Sequence, residues 1–368
     1  MNNSDLTRNL YMLKGSLASK GYDWWWHSFT GYHEKTKEAK SFFIEYFVIN
    51  PALAKDEPIF GQLKNEKPSY VMIKVGAWGK NAKQIHNFYP FSQFQCDPHQ
   101  LNIQVGDCTL TETHMKGKCK VSEQEVLNHP EYMCDAGTME WDLQVDKQIT
   151  YNVGYGASKF FRMIHAFEMY WHAEGMKTQY NGKVVLDGNT YIVTPEKSYG
   201  YADKNWGSDF TSPWLWISSC NIKSLLTNQI LTNTVVEFGG GRPKIFGFPL
   251  NKRLLGGLYY EGKMYEYNFS KFWNRSTITY DFEESNELTT WRIRARNEES
   301  ALELVVHCKK EEMLFINYEA PNGKKLHNRL FNGGTGYGEI KLFNLYGKLI
   351  DHLSISNVGC EYGEYDEK

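Results

Sequence analysis

Apolar and polar residues alternate along this chain in short runs, and glycine, asparagine, aspartate or proline stops most of them. Residues 42–49, Phe-Phe-Ile-Glu-Tyr-Phe-Val-Ile, end at Asn50-Pro51 and predict a strand buried on both faces. Residues 70–75 end at Gly76 and read the same way. Beyond them the spacing becomes regular. Strands are predicted at 101–105, 109–115 and 118–121, with turns at Gly106-Asp107 and Lys116-Gly117. Residues 141–145 and 149–153 predict a hairpin around Asp146-Lys147. Residues 176–180, 183–186 and 190–193 predict three strands joined at Asn181-Gly182 and Asp187-Gly188, pairs that tolerate the positive φ of two-residue turns. Further strands are predicted at 214–220, 234–238, 255–260, 263–269, 276–282, 289–295, 302–307, 313–318 and 339–345. Helical spacing is confined to 6–17, 122–127 and 157–167. Many antiparallel strands with a few short helices predict an all-β protein of barrels or sandwiches.

The chain has 368 residues, room for one large or two ordinary domains. Without a Pro/Ser-rich linker, the natural seam is Thr194-Pro195-Glu196-Lys197-Ser198, dividing residues 20–196 from 197–360. The acidic end, 360–368, reads as a frayed tail. A net charge of −2 gives no electrostatic argument for nucleic acid or an anionic membrane as partner. No apolar run reaches the ~18 residues of a membrane span, and the first residues lack a leader-like pattern. The cysteines number seven, are scattered and form no Cys-x-x-Cys pair, which predicts reduced thiols in a cytoplasmic protein. Aromatic residues are abundant (24 Tyr, 21 Phe, 11 Trp) although mean hydropathy is only −0.55, which fits aromatic strands with wet outer faces.

The densest chemistry lies between Tyr199 and Trp216, where Asp203-Lys204-Asn205 sits among Tyr201, Trp206, Trp214 and Trp216. A carboxylate, an ammonium and a carboxamide between aromatic rings suggest polar groups delivered into an aromatic-walled cavity. The plainer alternative is an aromatic strand end with a solvated turn. In the triplet Trp24-Trp25-Trp26, strand alternation sets Trp24 and Trp26 on one face and Trp25 with Asp23 and His27 on the other. The second face is either barrel-mouth padding or a polar wall of the pocket. His172 and Glu174 share a strand face with Tyr170 and Glu168, as a solvated surface or a cavity floor. His172-Ala173-Glu174 lacks the downstream Pro-Cys-x-x-Cys of a zinc deaminase, and no other spacing resembles a metal site. Gly239-Gly240-Gly241 and the glycines of 333–338 match neither a phosphate loop nor a dinucleotide fingerprint and read as hairpin turns.

Residues 201–207, Tyr-Ala-Asp-Lys-Asn-Trp-Gly, resemble the Tyr-Ala-Glu/Asp-Lys-Asn-Trp-Gly motif of tocopherol cyclases, and more loosely that of carotenoid hydratases and lipocalin-like pericyclases. The family's N-terminal Glu-Gly-Trp-Tyr-type motif is matched poorly by residues 23–27. The resemblance implies two tandem lipocalin-like antiparallel β-barrels with a lipid-sized pocket where they meet. It implies an enzyme for acid-initiated cyclisation, isomerisation or hydration of a C=C bond in a hydrophobic isoprenoid or polyene. Such chemistry needs a protonated acid in a dry pocket and π-faces for a developing cation. Asp203 is the candidate acid. Trp25, Tyr201 and Trp206 are candidates to face the cation, Asn205 to orient an oxygen, and His27, His172, Glu174 and Trp216 to line the pocket. No cofactor, metal or nucleic acid is expected. A non-catalytic lipid carrier on the same barrels and a carbohydrate-binding or carbohydrate-processing β-protein remain open alternatives.

Overall fold

A computed structural model describes residues 6–61, 66–153, 163, 164, 166–271 and 273–367. Twelve strands form a first sheet: β1 (Tyr22–His33), β2 (Ala39–Ile49), β3 (Tyr70–Ala77), β4 (Lys83–Tyr89), β5 (Phe94–Cys96), β6 (Asn102–Val105), β7 (Cys108–Thr111), β8 (His114–Val121), β9 (Gly137–Tyr151), β10 (Met169–Leu186), β11 (Asn189–Val193) and β12 (Gly200–Gly207). Their order is β4-β3-β2-β1-β11-β10-β9-β8-β7-β6-β5, with β12 laid between β1 and β10. The sheet curls until β4 meets β8, where the Asn87 amide donates to Lys120 O at 3.0 Å and accepts from Lys120 N at 2.9 Å. One side chain thus takes the place of a ladder rung.

The second sheet holds eleven strands: β13 (Trp214–Ser219), β14 (Asn221–Ser224), β15 (Thr234–Gly241), β18 (Arg253–Tyr260), β19 (Lys263–Asn268), β20 (Thr277–Glu284), β21 (Leu288–Arg296), β22 (Ser300–Lys309), β23 (Leu314–Ile316), β24 (Lys325–Asn344) and β25 (Leu349–Glu367). A small ribbon of β16 (Lys244–Ile245) and β17 (Phe248–Pro249) lies apart. The protein is all-β and consists of two lipocalin-like barrels.

Three apolar cores follow from strand alternation. One, with Trp25, Phe29, Ile44 and Trp141, fills the first barrel, and one around Trp291, Ile293 and Leu304 fills the second. The third, with Tyr22, Trp26, Phe43, Trp171, Trp214 and Trp216, lies between the sheets. Hydrogen bonds also join the sheets there, from Trp78 Nε1 to Asn332 Oδ1 (2.7 Å) and from Tyr318 Oη to Glu45 Oε2 (2.8 Å).

Several local expectations change. The chain leaves the first sheet between Gly207 and Trp214, later than the expected seam at 194–198, because β12 is hydrogen-bonded to both β1 and β10. Asp187-Gly188 is a turn, with φ of 47° and 79°, but Asn181-Gly182 lies inside the continuous strand β10. A Cβ at Gly182 would stand 2.1 Å from Asp142 O, so this glycine answers a close backbone approach. The hairpin expected at Asp146-Lys147 is one strand, β9, whose Lys147 is held by Glu174 and Glu112. Met115 lies in a new strand that begins at His114 rather than ending one, because the Thr111 hydroxyl turns the chain by bonding His114 O and N, both at 3.1 Å. The glycine runs at 239–241 and 333–338 lie within β15 and β24, and the acidic end is paired through β25. Residues 6–17 are not a continuous helix: Trp25 Nε1 holds Asn9 O and Asp23 holds Met12 N, which draws Leu13 and Leu17 into the first barrel. Glu123–Asn128 is helical, with a reciprocal capping box between Ser122 and Glu125. The helix expected at 157–167 lies, but for its last residues, outside the described ones. Among the described residues no helix is long and apolar enough to cross a membrane.

Candidate active site

The two faces of β12 separate the motif. Tyr201, Asp203 and Asn205 turn toward the second sheet, while Ala202, Lys204 and Trp206 turn into the first barrel. In register, Asp203 lies beside Trp26, and Asn205 lies between Trp24 and Trp171. On the outer face Tyr201, Asp203 and Trp216 line one slot between the sheets, with Trp24, Trp26, Trp214, Tyr318 and Glu361. Its empty space, mouth included, is about 540 Å³, of which the aromatic walls leave only about 30 Å³ open to the centre of a water-sized sphere. Asn205 shares this face but is buried behind the wall, its Oδ1 accepting from Tyr22 Oη at 2.7 Å.

Three carboxyls, the buried Asp203 and Glu237 and the half-buried Glu361, sit in and behind the slot, and each receives an indole N–H. Asp203 Oδ2 accepts from Trp171 Nε1 (2.9 Å) and lies 3.3 Å from Tyr201 Oη, whose single hydrogen goes to Glu237, whereas its Oδ1 is buried without a hydrogen-bond partner. Burial, then the nearby carboxyls of Glu237, Glu361 and Glu174, push the Asp203 carboxyl well above the ordinary range. Glu237 takes Tyr201 Oη at 2.7 Å and Trp216 Nε1 at 3.1 Å, and burial pushes it up to about 8. Glu361 takes Trp214 Nε1 at 2.9 Å on Oε2 and the Asn332 amide on Oε1, and burial pushes it up to about 7. Beside the slot's Tyr318, Lys74 Nζ lies 2.9 Å from Glu45 and 3.6 Å from the centre of the Tyr318 ring. The slot therefore joins π-faces to an uncompensated acid, which suits proton donation to an apolar molecule.

The remaining expected residues lie on the opposite face of the sheet. Lys204 is bonded to Asp23 and stands 4.1 Å from the Trp25 ring centre and 5.1 Å from that of Trp206. His27 Nδ1 meets Tyr180 Oη at 2.8 Å, and burial, then Lys147, hold its imidazole well below the usual range. Glu174 is paired with Lys147, and His172 is registered with Lys204. Trp206 stacks on Tyr170 with centroids 5.4 Å apart. Trp25, His27, His172, Glu174 and Trp206 are thus not brought to Asp203. The cause is alternation: Trp206 is three residues from Asp203 and falls on the other face. Among the described residues no group of three or more His, Cys, Asp or Glu is arranged to hold a metal.

The residues that sequence reasoning missed are Trp24, Trp26, Trp171, Tyr318, Glu237 and Glu361. A signal existed for some of them. Glu45, Lys74 and Glu237 are single charges inside apolar strands, a pattern that asks for a buried partner. Glu361 was hidden by the acidic end that follows it.

A family model described as tocopherol cyclase-like matches residues 38–363. The structure is similar to kievitone hydratase from Nectria haematococca, with 12% identity, 95% of this chain and 93% of that one covered, and a TM-score of 0.47. It is also similar to CghA, with 10% identity, 95% and 90% covered, and a TM-score of 0.46. Among curated proteins none matches the chain.

Proposed function

Because the chain belongs to the tocopherol cyclase-like family, we propose that it is an enzyme that protonates a C=C bond of a hydrophobic isoprenoid or polyene held between its barrels. The cation formed is then captured by an oxygen of the substrate, by water, or by loss of a proton, giving cyclisation, hydration or isomerisation. One observation carries this reading: the Asp203 carboxyl faces an aromatic slot and, among the described residues, has one oxygen unpartnered and no ammonium paired to it. Burial favours the neutral acid, so Asp203 keeps its proton to higher pH than an exposed carboxyl does and can deliver it where water is scarce. Trp24, Trp26, Trp216 and Tyr318 offer π-faces to the cation, each worth about 0.5–2 kcal/mol depending on desolvation. Asp203 is the acid in this scheme, and Trp171, through its indole N–H, keeps it oriented. Seven free thiols suit a reducing, cytoplasmic setting.

The test uses an ortho-prenylated hydroquinone, which offers both an alkene and a capturing hydroxyl. Wild type should convert it to the cyclic ether, and Asp203→Asn should cut turnover by about 10²–10⁴-fold, the usual contribution of a positioned acid. Affinity should change little, since Asn keeps the shape. Equal turnover by Asp203→Asn would remove Asp203 from the role. Tight binding of the probe with no conversion by wild type would favour the carrier.

A further inference from the structure

The slot holds a second carboxyl from the other sheet, and the hydrogen bonds around it differ in kind from those of Asp203. Glu361 comes from β25, while Asp203 comes from β12, and both line the same space. The Glu361 oxygens are addressed separately, Oε2 by Trp214 Nε1 and Oε1 by the Asn332 amide. An indole N–H only donates. The Asn332 amide must donate as well, because its Oδ1 already accepts from Trp78 Nε1 at 2.7 Å, which turns the NH2 toward Glu361. Both Glu361 oxygens are therefore matched as acceptors, the condition of a carboxylate. Asp203 has one N–H donor, Trp171 on Oδ2, and leaves Oδ1 free to carry a proton.

We propose that Glu361 is the base of the reaction that Asp203 starts, accepting the proton released when the cation is captured. The inference rests on the reading of Asp203 as acid. In the first step the alkene π pair takes the Asp203 proton, a C–H bond forms, and Asp203 becomes a carboxylate. An oxygen lone pair then closes a C–O bond on the cation, the O–H bond breaks, and its proton passes to Glu361. The product is an isomer of the substrate, or its hydrate if water is the nucleophile, and no electron is gained or lost. One proton transfer from Glu361 to Asp203, through water at the mouth, restores the starting state. Two carboxyls held in different protonation states by their surroundings form a usual acid–base pair.

The groups facing Glu361 set its titration. They are Asp203 from β12, Glu45 from β2, Lys74 from β3, Tyr318 beyond β23, and Cys360 on its own strand. Burial raises it to about 7 while the two N–H donors and Lys74 oppose the rise. A base with that value is lost as pH falls, so kcat should decline on the acid side with a midpoint of about 7.

The experiment runs the ortho-prenylated hydroquinone in deuterated water and follows both product and deuterium in recovered substrate. Glu361→Gln should lower product formation by about 10²–10⁴-fold and keep deuterium entering the recovered substrate, because Asp203 still protonates the alkene reversibly. Asp203→Asn should lose both signals. Trp214→Phe, which keeps the ring but removes one donor, should move the acid limb of the profile to higher pH. Product at the wild-type rate in Glu361→Gln, or loss of product and exchange together in a folded Glu361→Gln, overturns the base assignment and leaves Asp203 standing. An acid limb that stays in place in Trp214→Phe overturns it too. Both signals surviving in Asp203→Asn, or neither present in wild type, sinks the acid reading itself.

Discussion

Lys204 and Asp203 are neighbours in sequence with opposite duties. Asp203 faces the slot, whereas Lys204 is fully buried in the first barrel, bonded to Asp23 between the Trp25 and Trp206 rings. Removing one member of such a pair leaves an uncompensated charge in a dry interior, a loss of about 3–5 kcal/mol. Lys204→Met should therefore destabilise the protein by that amount in urea unfolding. Replacing both members, as Asp23→Leu with Lys204→Met, should recover much of it and retain turnover, since neither group faces the slot. Turnover lost in a stable double variant would mean that the pair does more than hold β12 against β1.

At the scale of elements, several glycines inside strands are seats for indole rings, two of them, Gly239 and Gly334, in runs that read as turns. A Cβ at Gly239 in β15 would stand 2.6 Å from the Trp171 ring, and one at Gly359 in β25 would stand 2.4 Å from the Trp216 ring. Gly334 in β24 does the same for Trp78. Each of these rings then reaches a polar partner in the layer between the sheets: Asp203, Glu237 and Asn332. Gly239→Ala should cost about 1–3 kcal/mol by overpacking. It should also shift tryptophan fluorescence and reduce turnover, by moving Trp171 off Asp203. Gly117→Ala is the control, because its Cβ would press on Trp141 within the first barrel. It should cost similar stability and spare turnover. If both variants lose turnover alike, the loss reports general loosening rather than the Trp171 contact.

At the scale of the whole molecule, the layer between the sheets makes each barrel depend on the other. The N-terminal half alone, cut between Gly207 and Trp214, would bare Trp24, Trp26 and Phe43. That fragment should aggregate or bind a hydrophobic dye strongly, and a monodisperse, dye-silent fragment would refute the dependence. The buried carboxyls also couple stability to pH. Glu237 is raised from 4.5 to about 8, so over that window the folded state holds a proton that the unfolded chain has released. Its stabilisation is complete below 4.5 and disappears as pH rises through about 8. His27 and His86, both lowered from 6.5, act in the opposite sense at the acid end. The clean measure is the difference between Glu237→Gln and wild type in Tm, which should move in favour of the variant as pH rises from 5 to 8. A difference that is flat with pH would mean that Glu237 ionises alike in both states.

Local alternation was legible in the sequence itself. It marked most strands, the turn at Asp187-Gly188, the capped helix after Ser122, and the division of Trp24 and Trp26 from Trp25. The motif at 201–207 pointed to Asp203, Tyr201 and the nearby Trp216, which share the slot. The period of two is a property of each strand, so it survives without knowledge of neighbours. Which face meets which partner is not a property of one strand. Glu361 and Tyr318, which line the slot, and Glu237, which holds Tyr201 from behind it, come from strands and loops far along the chain and arrive only because the second sheet packs on the first. A glycine beneath an indole and a glycine in a turn are also the same letter. Only the folded chain shows whether the missing Cβ leaves room for a positive φ or for a tryptophan ring.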